Sequence, residues 1–209
     1  MFRVKLCGFM RATDVREAVH LRVDAIGFQM SMGKRRIDAS TARHLVRSIP
    51  PWITPVGVFV NEPLSRLCRM VRSCRFQVVQ LHGDESEEYA RAVPVPVLKA
   101  VRLGKIIHPS AFQGYTVAAF LLDRYNPRLR GGTGVTFPWR WAGPARRLPA
   151  PFLLAGGLDP KNVARAIRTV RPFGVDAASG VESSPGVKDP RLMASFVKKA
   201  RGTFLSLRN

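Results

Sequence analysis

The chain has 209 residues, of which 46% are hydrophobic and 23% charged, and a formal net charge of +20. The length suits one domain or two small ones with a real core, the composition is that of a soluble globular protein, and no apolar run is long enough to span a bilayer. The basic residues are spread along the chain without a basic block or tail, which predicts a broadly basic surface able to steer anionic ligands and argues against a dedicated nucleic-acid-binding segment.

In chain order, short apolar runs alternate with longer, charged segments. Strands are predicted at 3–7 (RVKLC), 24–29 (DAIGFQ), 55–60 (PVGVFV), 76–81 (FQVVQL), 96–102 (PVLKAVR), 117–122 (VAAFLL), 151–155 (PFLLA) and 173–178 (FGVDAA). Runs this short, bounded by Gly, Pro or charge, read as buried parallel strands. Helices are predicted near 12–22, 39–48, 62–74, 85–92, 109–113, 139–147, 160–171 and 189–200, the fifth being the weakest. Asp14, Asp38, Asp84 and Asp159 stand where N-caps belong, and Pro63, Pro160 and Pro190 where a first helical residue belongs.

Eight strand–helix units in about 200 residues predict an α/β fold, a (β/α)8 TIM barrel near its minimum size, with a doubly wound open sheet as the alternative. No linker or composition break interrupts the chain, so residues 1–209 are read as a single domain. The three cysteines, Cys7, Cys68 and Cys74, are odd in number and make a poor disulfide framework, and the four histidines are scattered, so no metal site is expected. Arg3, Lys5 and Arg11 interrupt any leader-like apolar start, so a cytoplasmic location without membrane attachment is expected.

In such a barrel, function belongs at the C-terminal ends of the strands. Those ends carry Cys7-Gly8, Gln80-Leu81-His82-Gly83, Asp123, Ala155-Gly156-Gly157 and Asp176-Ala177-Ala178-Ser179-Gly180. Of the fourteen acidic residues, ten lie at or near predicted helix starts, where the helix dipole accounts for them. Asp24 begins a strand; Asp123, Asp176 and Glu182 remain on the catalytic face. Asp123 closes the run VAAFLLD, and the structural alternative to a catalytic role is an ion pair with Arg124 or Arg128.

Cys7 on its own is a small buried hydrophobe. Strand alternation, however, gives it the parity of Lys5, with Val4 and Leu6 facing the helices. An ammonium beside a thiol favours the thiolate, which makes Cys7 a candidate base or nucleophile. Lys5, His82 and Asp176 share this face as candidate substrate-binding residues. The turns AGGLDPKN and ASGVESSPG follow the last two strands; Gly156, Gly157, Ser179 and Gly180 are candidates for binding phosphate through backbone N–H groups. The alternative is a pair of tight turns. The glycine-rich stretch RLRGGTGVTFPW at 128–139 is a candidate lid, with neither Walker A nor Rossmann spacing.

The pieces VKLCG, DAIGF, VGVFVNEP, VQLHGDE, FLLD, GGTGVTFPW, LLAGGLDPKNV and GVDAASGVESSPGVKD, in this order from about Val4 to Lys199, resemble the phosphoribosylanthranilate isomerases of tryptophan biosynthesis. The resemblance implies a cofactor-free Amadori rearrangement of N-(5-phosphoribosyl)anthranilate to 1-(2-carboxyphenylamino)-1-deoxyribulose 5-phosphate. It implies that Asp123 is the general acid that opens the furanose, and that Cys7 is the general base that takes the proton from ribose C2. It also implies an arginine after the second strand for the anthranilate carboxylate. In the segment GFQMSMGKRRID the loop is one residue short, and Arg35 is the candidate with Arg36 as the alternative. The family's serine in this loop is absent, Pro138 stands where an aspartate is usual, and Ala178 replaces a serine. The expected partner is a small anionic substrate, the enzyme acting as monomer or homodimer. A histidine-pathway isomerase would carry aspartate at position 7; a DNA-binding protein on a decayed barrel would owe its function to the charge and would bind with a steep salt dependence.

Overall fold

The computed structural model describes residues 3–124 and 137–207. Eight parallel strands close in sequence order: β1 (Arg3–Cys7), β2 (Ala25–Gln29), β3 (Thr54–Phe59), β4 (Val78–Leu81), β5 (Val97–Leu103), β6 (Ala119–Arg124), β7 (Phe152–Leu154) and β8 (Gly174–Ala177), with β8 returning to β1. Each lies within three residues of its sequence-based position at either end.

Strand alternation sorts the side chains. Val4, Leu6, Ile26, Phe28, Phe120 and Leu122 join the outer layer between barrel and helices. Leu98, Ala100, Ala119, Leu121, Leu153 and Ala155 form a separate cluster inside the barrel. On β1 the inward parity falls to Lys5 and Cys7, so the interior changes from apolar to polar across its width.

The helices are α1 (Ala12–His20), α2 (Ala39–Val46), α3 (Leu64–Cys74), α4 (Glu87–Arg91), α5 (Val163–Val170) and α6 (Pro190–Ser206). The segments Pro109–Phe112 and Trp139–Arg147, expected as helices, are 3-10 turns. The first is only four residues long, and Pro144 interrupts the second, removing a donor and crowding the preceding turn.

Asp38 and Asp189 cap α2 and α6 through side-chain oxygens, and Pro190 opens α6. Asp84 is not a cap: Ser86 caps α4. Asp14 lies inside the first turn of α1 and accepts the Lys188 N–H at 3.0 Å. Asp159 accepts the N–H groups of Lys161 and Asn162, ordering the turn before α5 rather than its first residue. Pro63 and Pro160 precede their helices.

Past β8 the chain forms a hairpin that the strand reading did not contain: β9 (Glu182–Ser184) pairs antiparallel with β10 (Val187–Lys188). Pro185-Gly186 makes the turn, with Gly186 at φ 84°. Among the described residues no helix is long and apolar enough to cross a membrane.

Candidate active site

Cys7 ends β1 with its thiol over Gly27 of β2. A Cβ at Gly27 would stand 2.7 Å from Cys7 Sγ, so only glycine leaves the thiol its place. The thiol is buried, and beneath it Lys5 Nζ donates to Asp176 Oδ1 at 2.9 Å. Burial opposes the Lys5 charge, but Asp176 and Cys7 together hold its pKa above the ordinary value.

The thiol itself departs from the sequence expectation. Burial pushes the Cys7 pKa up, and Asp176 adds to this; Lys5 and Lys188 pull the other way without reversing it. The neighbouring ammonium reasoned from strand parity is present, but Asp176 neutralises it and desolvation outweighs the rest.

Arg35 reaches the same corner from the loop after β2. Its Nε donates to Glu182 at 2.8 and 3.0 Å and its Nη2 at 2.6 Å, and the hydrogen bonds to Glu182 hold its pKa up. Glu182 also accepts from Lys188 Nζ at 2.8 Å. Burial works against the Glu182 charge, yet the two cations hold its pKa below the usual carboxylate value. Arg36 is exposed and bridges in the backbone to Gln29, outside this corner. Of the two arginines, Arg35 is the one whose electrostatic neighbours include Cys7.

Gly8 has φ +81°, and a Cβ there would meet Arg35 Cδ at 2.4 Å. A side chain at position 8 would need space beside the end of β1. In the structure the stem of Arg35 occupies that room.

Across the barrel, Asp123 is buried near the end of β6. Its Oδ1 accepts the Arg124 N–H at 2.7 Å; the Arg124 guanidinium makes no ion pair with it among the described residues, and Arg128 lies outside them. Its Oδ2 lies 3.1 Å from His82 Nε2, close but off the line of a hydrogen bond. The other ring nitrogen, Nδ1, is 2.6 Å from Gln80 Nε2. With the amide assigned this way, Nδ1 accepts and the ring proton sits on Nε2, facing Asp123. A Cβ at Gly156 would stand 2.9 Å from the Arg124 nitrogen and 3.1 Å from Asp123 Oδ1, so the turn after β7 packs directly on the acid.

The loop that carries His82 is pinned from behind. Buried Lys99 donates to the Gly83 carbonyl at 2.9 Å and to Glu85 Oε2 at 2.7 Å, and Glu85 accepts the N–H groups of Asn61 and Gly83. Neither Lys99 nor Glu85 was singled out from the sequence as serving the site. Buried charges are stable only when paired and hydrogen-bonded, and a strand pattern does not say which partner arrives.

The two glycine turns interlock. Gly156 and Gly157 have φ +81° and +71°, and a Cβ at Gly180 would lie 2.0 Å from the Leu158 carbonyl oxygen. Asn162 Nδ2 donates to the Gly157 carbonyl at 2.8 Å, fixing the first turn. The Gly156 and Gly157 N–H groups have no acceptor among the described residues, and Ser179 and Gly180 open a 3-10 turn whose first N–H groups have none within it. Of these residues, Gly156 lies directly against Asp123.

The candidate lid at 128–139 lies outside the described residues except for its last three. Lys188 and Glu182 were not assigned a role from sequence; the Pro-Gly dipeptide between them was the available sign of a hairpin. Among the described residues no group of three or more His, Cys, Asp or Glu side chains could hold a metal ion. Part of the basic charge lies away from the site: Arg43, Arg47, Arg72 and Arg75 line a surface groove beside Ile53, Pro55 and Gln77, toward the opposite ends of the strands.

Comparison with known proteins gives consistent findings. A sequence profile described as N-(5'phosphoribosyl)anthranilate (PRA) isomerase matches residues 4–199. The N-(5'-phosphoribosyl)anthranilate isomerase of Geotalea uraniireducens (strain Rf4) is 43% identical over 203 residues, 97% of this chain and 100% of that one. That of Geobacter sulfurreducens is 42% identical over 203 residues, again 97% and 100%. The crystal structure of phosphoribosyl anthranilate isomerase from Thermus thermophilus superposes with a TM-score of 0.88 at 36% identity, covering 99% of this chain and 100% of that chain. A phosphoribosyl anthranilate isomerase in complex with reduced 1-(o-carboxyphenylamino)-1-deoxyribulose 5-phosphate superposes with a TM-score of 0.84 at 34% identity, covering 97% and 100%.

Proposed function

The chain belongs to the N-(5'-phosphoribosyl)anthranilate isomerase family of tryptophan biosynthesis, and on that premise we propose that Cys7 and Asp123 are the base and acid of its rearrangement. The substrate is N-(5'-phosphoribosyl)anthranilate, and the reaction is an intramolecular Amadori isomerisation. The single observation that carries the assignment is the placement of a buried thiol and a buried carboxylate on the inward face of one barrel mouth, at the ends of β1 and β6.

Asp123 protonates the furanose ring oxygen. The C1–O bond breaks as the anilino nitrogen supplies its electron pair, giving an open-chain Schiff base. His82 lies 3.1 Å from the second carboxylate oxygen and tightens on Asp123 when substrate is bound. Cys7, as thiolate, removes the proton from C2, and the electron pair flows through C1 to the nitrogen. The resulting enolamine tautomerises to the 2-ketone. The thiol is mostly protonated in the free site because burial raises its pKa, and the fraction ionised is the reactive one.

Arg35 receives the anthranilate carboxylate. A guanidinium has five N–H donors in a planar fork, and Glu182 engages Nε and Nη2, so Nη1 remains to serve a ligand. Asp176 faces the ribose hydroxyls. Lys5 lies two residues deeper than Cys7 with 2% exposure, and it supports Cys7 and Asp176 rather than touching substrate. The phosphate rests on the N–H groups of Gly156, Gly157, Ser179 and Gly180, a set of backbone donors of the kind that binds anions well. No cofactor is needed, because each step moves only protons and electron pairs within the substrate. The proposal includes a cytoplasmic enzyme acting as monomer or homodimer.

The test is direct assay of the purified chain on the phosphoribosyl substrate. Cys7→Ser and Asp123→Asn are each expected to lose roughly 10²–10⁴-fold in kcat while still binding product analogue. Wild-type turnover in either variant removes its assigned role.

A further inference from the structure

Lys188 is 3% exposed and lies at the end of the β9–β10 hairpin, 181 residues from Cys7 in sequence. Its ammonium donates to the Cys7 carbonyl at 2.5 Å, to the Ala178 carbonyl at 3.1 Å and to Glu182 Oε1 at 2.8 Å. These three acceptors use all the donors an ammonium has. Its own backbone N–H is taken by Asp14 at 3.0 Å, which ties the hairpin to α1. The Nζ also stands 5.2 Å from the centre of the Phe9 ring.

These contacts converge on three places that the reaction uses. The Cys7 carbonyl belongs to the base itself. Ala178 precedes Ser179 and Gly180 of the phosphate cradle. Glu182 is the carboxylate that grips Arg35. An isolated charge is costly to bury, and burial does lower the Lys188 pKa against the pull of Glu182 and Cys7. A lysine kept there at that cost, with every donor aimed at a functional segment, is poorly explained as packing.

We propose that Lys188 is a positioning residue: through one ammonium it fixes the ends of β1 and β8 and the Glu182–Arg35 clamp relative to one another. The proposal rests on the reading of Cys7 as base and Arg35 as carboxylate-binding residue. Glu182 is the second half of the device, since it converts the position of Lys188 into the orientation of Arg35. The charged groups that act on the Cys7 thiol are Lys5 on the same strand, Asp176 on β8 and Lys188 on β10, and the thiol in turn acts on Arg35 in the β2 loop. Loss of the Lys188 charge therefore leaves the thiol with one fewer cation.

Lys188→Met keeps the length of the stem and removes the charge and all three hydrogen bonds. Displacement of reacting groups by about 1 Å can cost on the order of 10²-fold, so kcat is expected to fall at least about tenfold, with a rise in KM. The diagnostic readout is iodoacetamide modification of Cys7 against pH, followed at the Cys7 peptide by mass spectrometry. In Lys188→Met the modification profile is expected to move to higher pH, which a purely structural role for Lys188 would not require. An unmoved profile together with wild-type kcat overturns the proposal. If Lys188→Met does not fold, Glu182→Gln carries the test: a rise in KM of about tenfold with a smaller change in kcat supports the coupling of hairpin to Arg35, and an unchanged KM overturns it. A failure of the underlying catalytic reading is visible separately, as full activity in Cys7→Ser, while the Cys7 modification profile still reports on Lys188.

Discussion

Lys5 Nζ stands 2.9 Å from Asp176 Oδ1 at the seam where the last strand of the barrel returns to the first, and the two residues are also register partners in the sheet. Their side chains are 2% and 8% exposed, so the pair is desolvated and sits directly below Cys7. Removing one partner of a buried pair leaves an unpaired charge. Asp176→Asn is expected to lower stability by about 3–5 kcal/mol in urea denaturation. The double variant Lys5→Met/Asp176→Leu is expected to recover most of that loss, because an apolar pair of similar size avoids the desolvation cost. Its activity should stay low. A single variant as stable as the wild type would show that the ion pair is not held by the seam.

The pH profile follows from the thiol. Burial holds the Cys7 pKa above 9.0 in the free enzyme. Below that value each unit of pH raises the thiolate fraction about tenfold. Log kcat/KM is expected to climb with pH from neutrality to about 9, with a slope near one where no other group intervenes. Steady-state rates across that range check it; a profile flat throughout would mean that thiolate formation does not limit the reaction.

Gly8 carries two constraints at once. Its φ is +81°, and an added Cβ would overlap the Arg35 stem, whose far end is held by Glu182. Gly8→Ala is expected to cost about 1–3 kcal/mol from backbone strain and to raise KM by displacing Arg35. Thermal unfolding and saturation kinetics measure the two parts. Unchanged KM would separate Gly8 from Arg35.

Acid stability tests the same corner. The pKa of Glu182 is lower in the folded chain than the ordinary 4.5, because Arg35 and Lys188 outweigh its burial. A group of this sign contributes stability that is fully present above its unfolded pKa and is lost as pH falls through its lower folded pKa. The midpoint of urea unfolding is expected to fall with pH below about 4.5, and Glu182→Gln to flatten part of that slope. Asp38 and Glu88 shift in the same direction from exposed positions and remain in the variant, so the flattening is partial.

The strands were legible because burial on both faces demands short apolar runs, and that demand is local. The positions of Cys7, Asp123, His82, Asp176 and the glycine turns followed from the strand ends alone. The two 3-10 segments were misread as helices, though Pro144 was visible as a breaker. The hairpin was missed because its strands are three and two residues long, too short for any alternation to register.

The sequence by itself determined the barrel, the family, and which residues stand at its mouth, since each depends on periodicity and motif order along one stretch of chain. Only the tertiary structure decided what those residues experience. The ammonium two residues from Cys7 predicted an acidified thiol; Asp176, 171 residues beyond Lys5, and burial together reversed the direction. Arg35 is held by a carboxylate 147 residues beyond it, and its stem fills the space that a side chain at Gly8 would need. Electrostatics in a desolvated site is a sum over spatial neighbours, and the neighbours that dominate it here come from opposite ends of the chain.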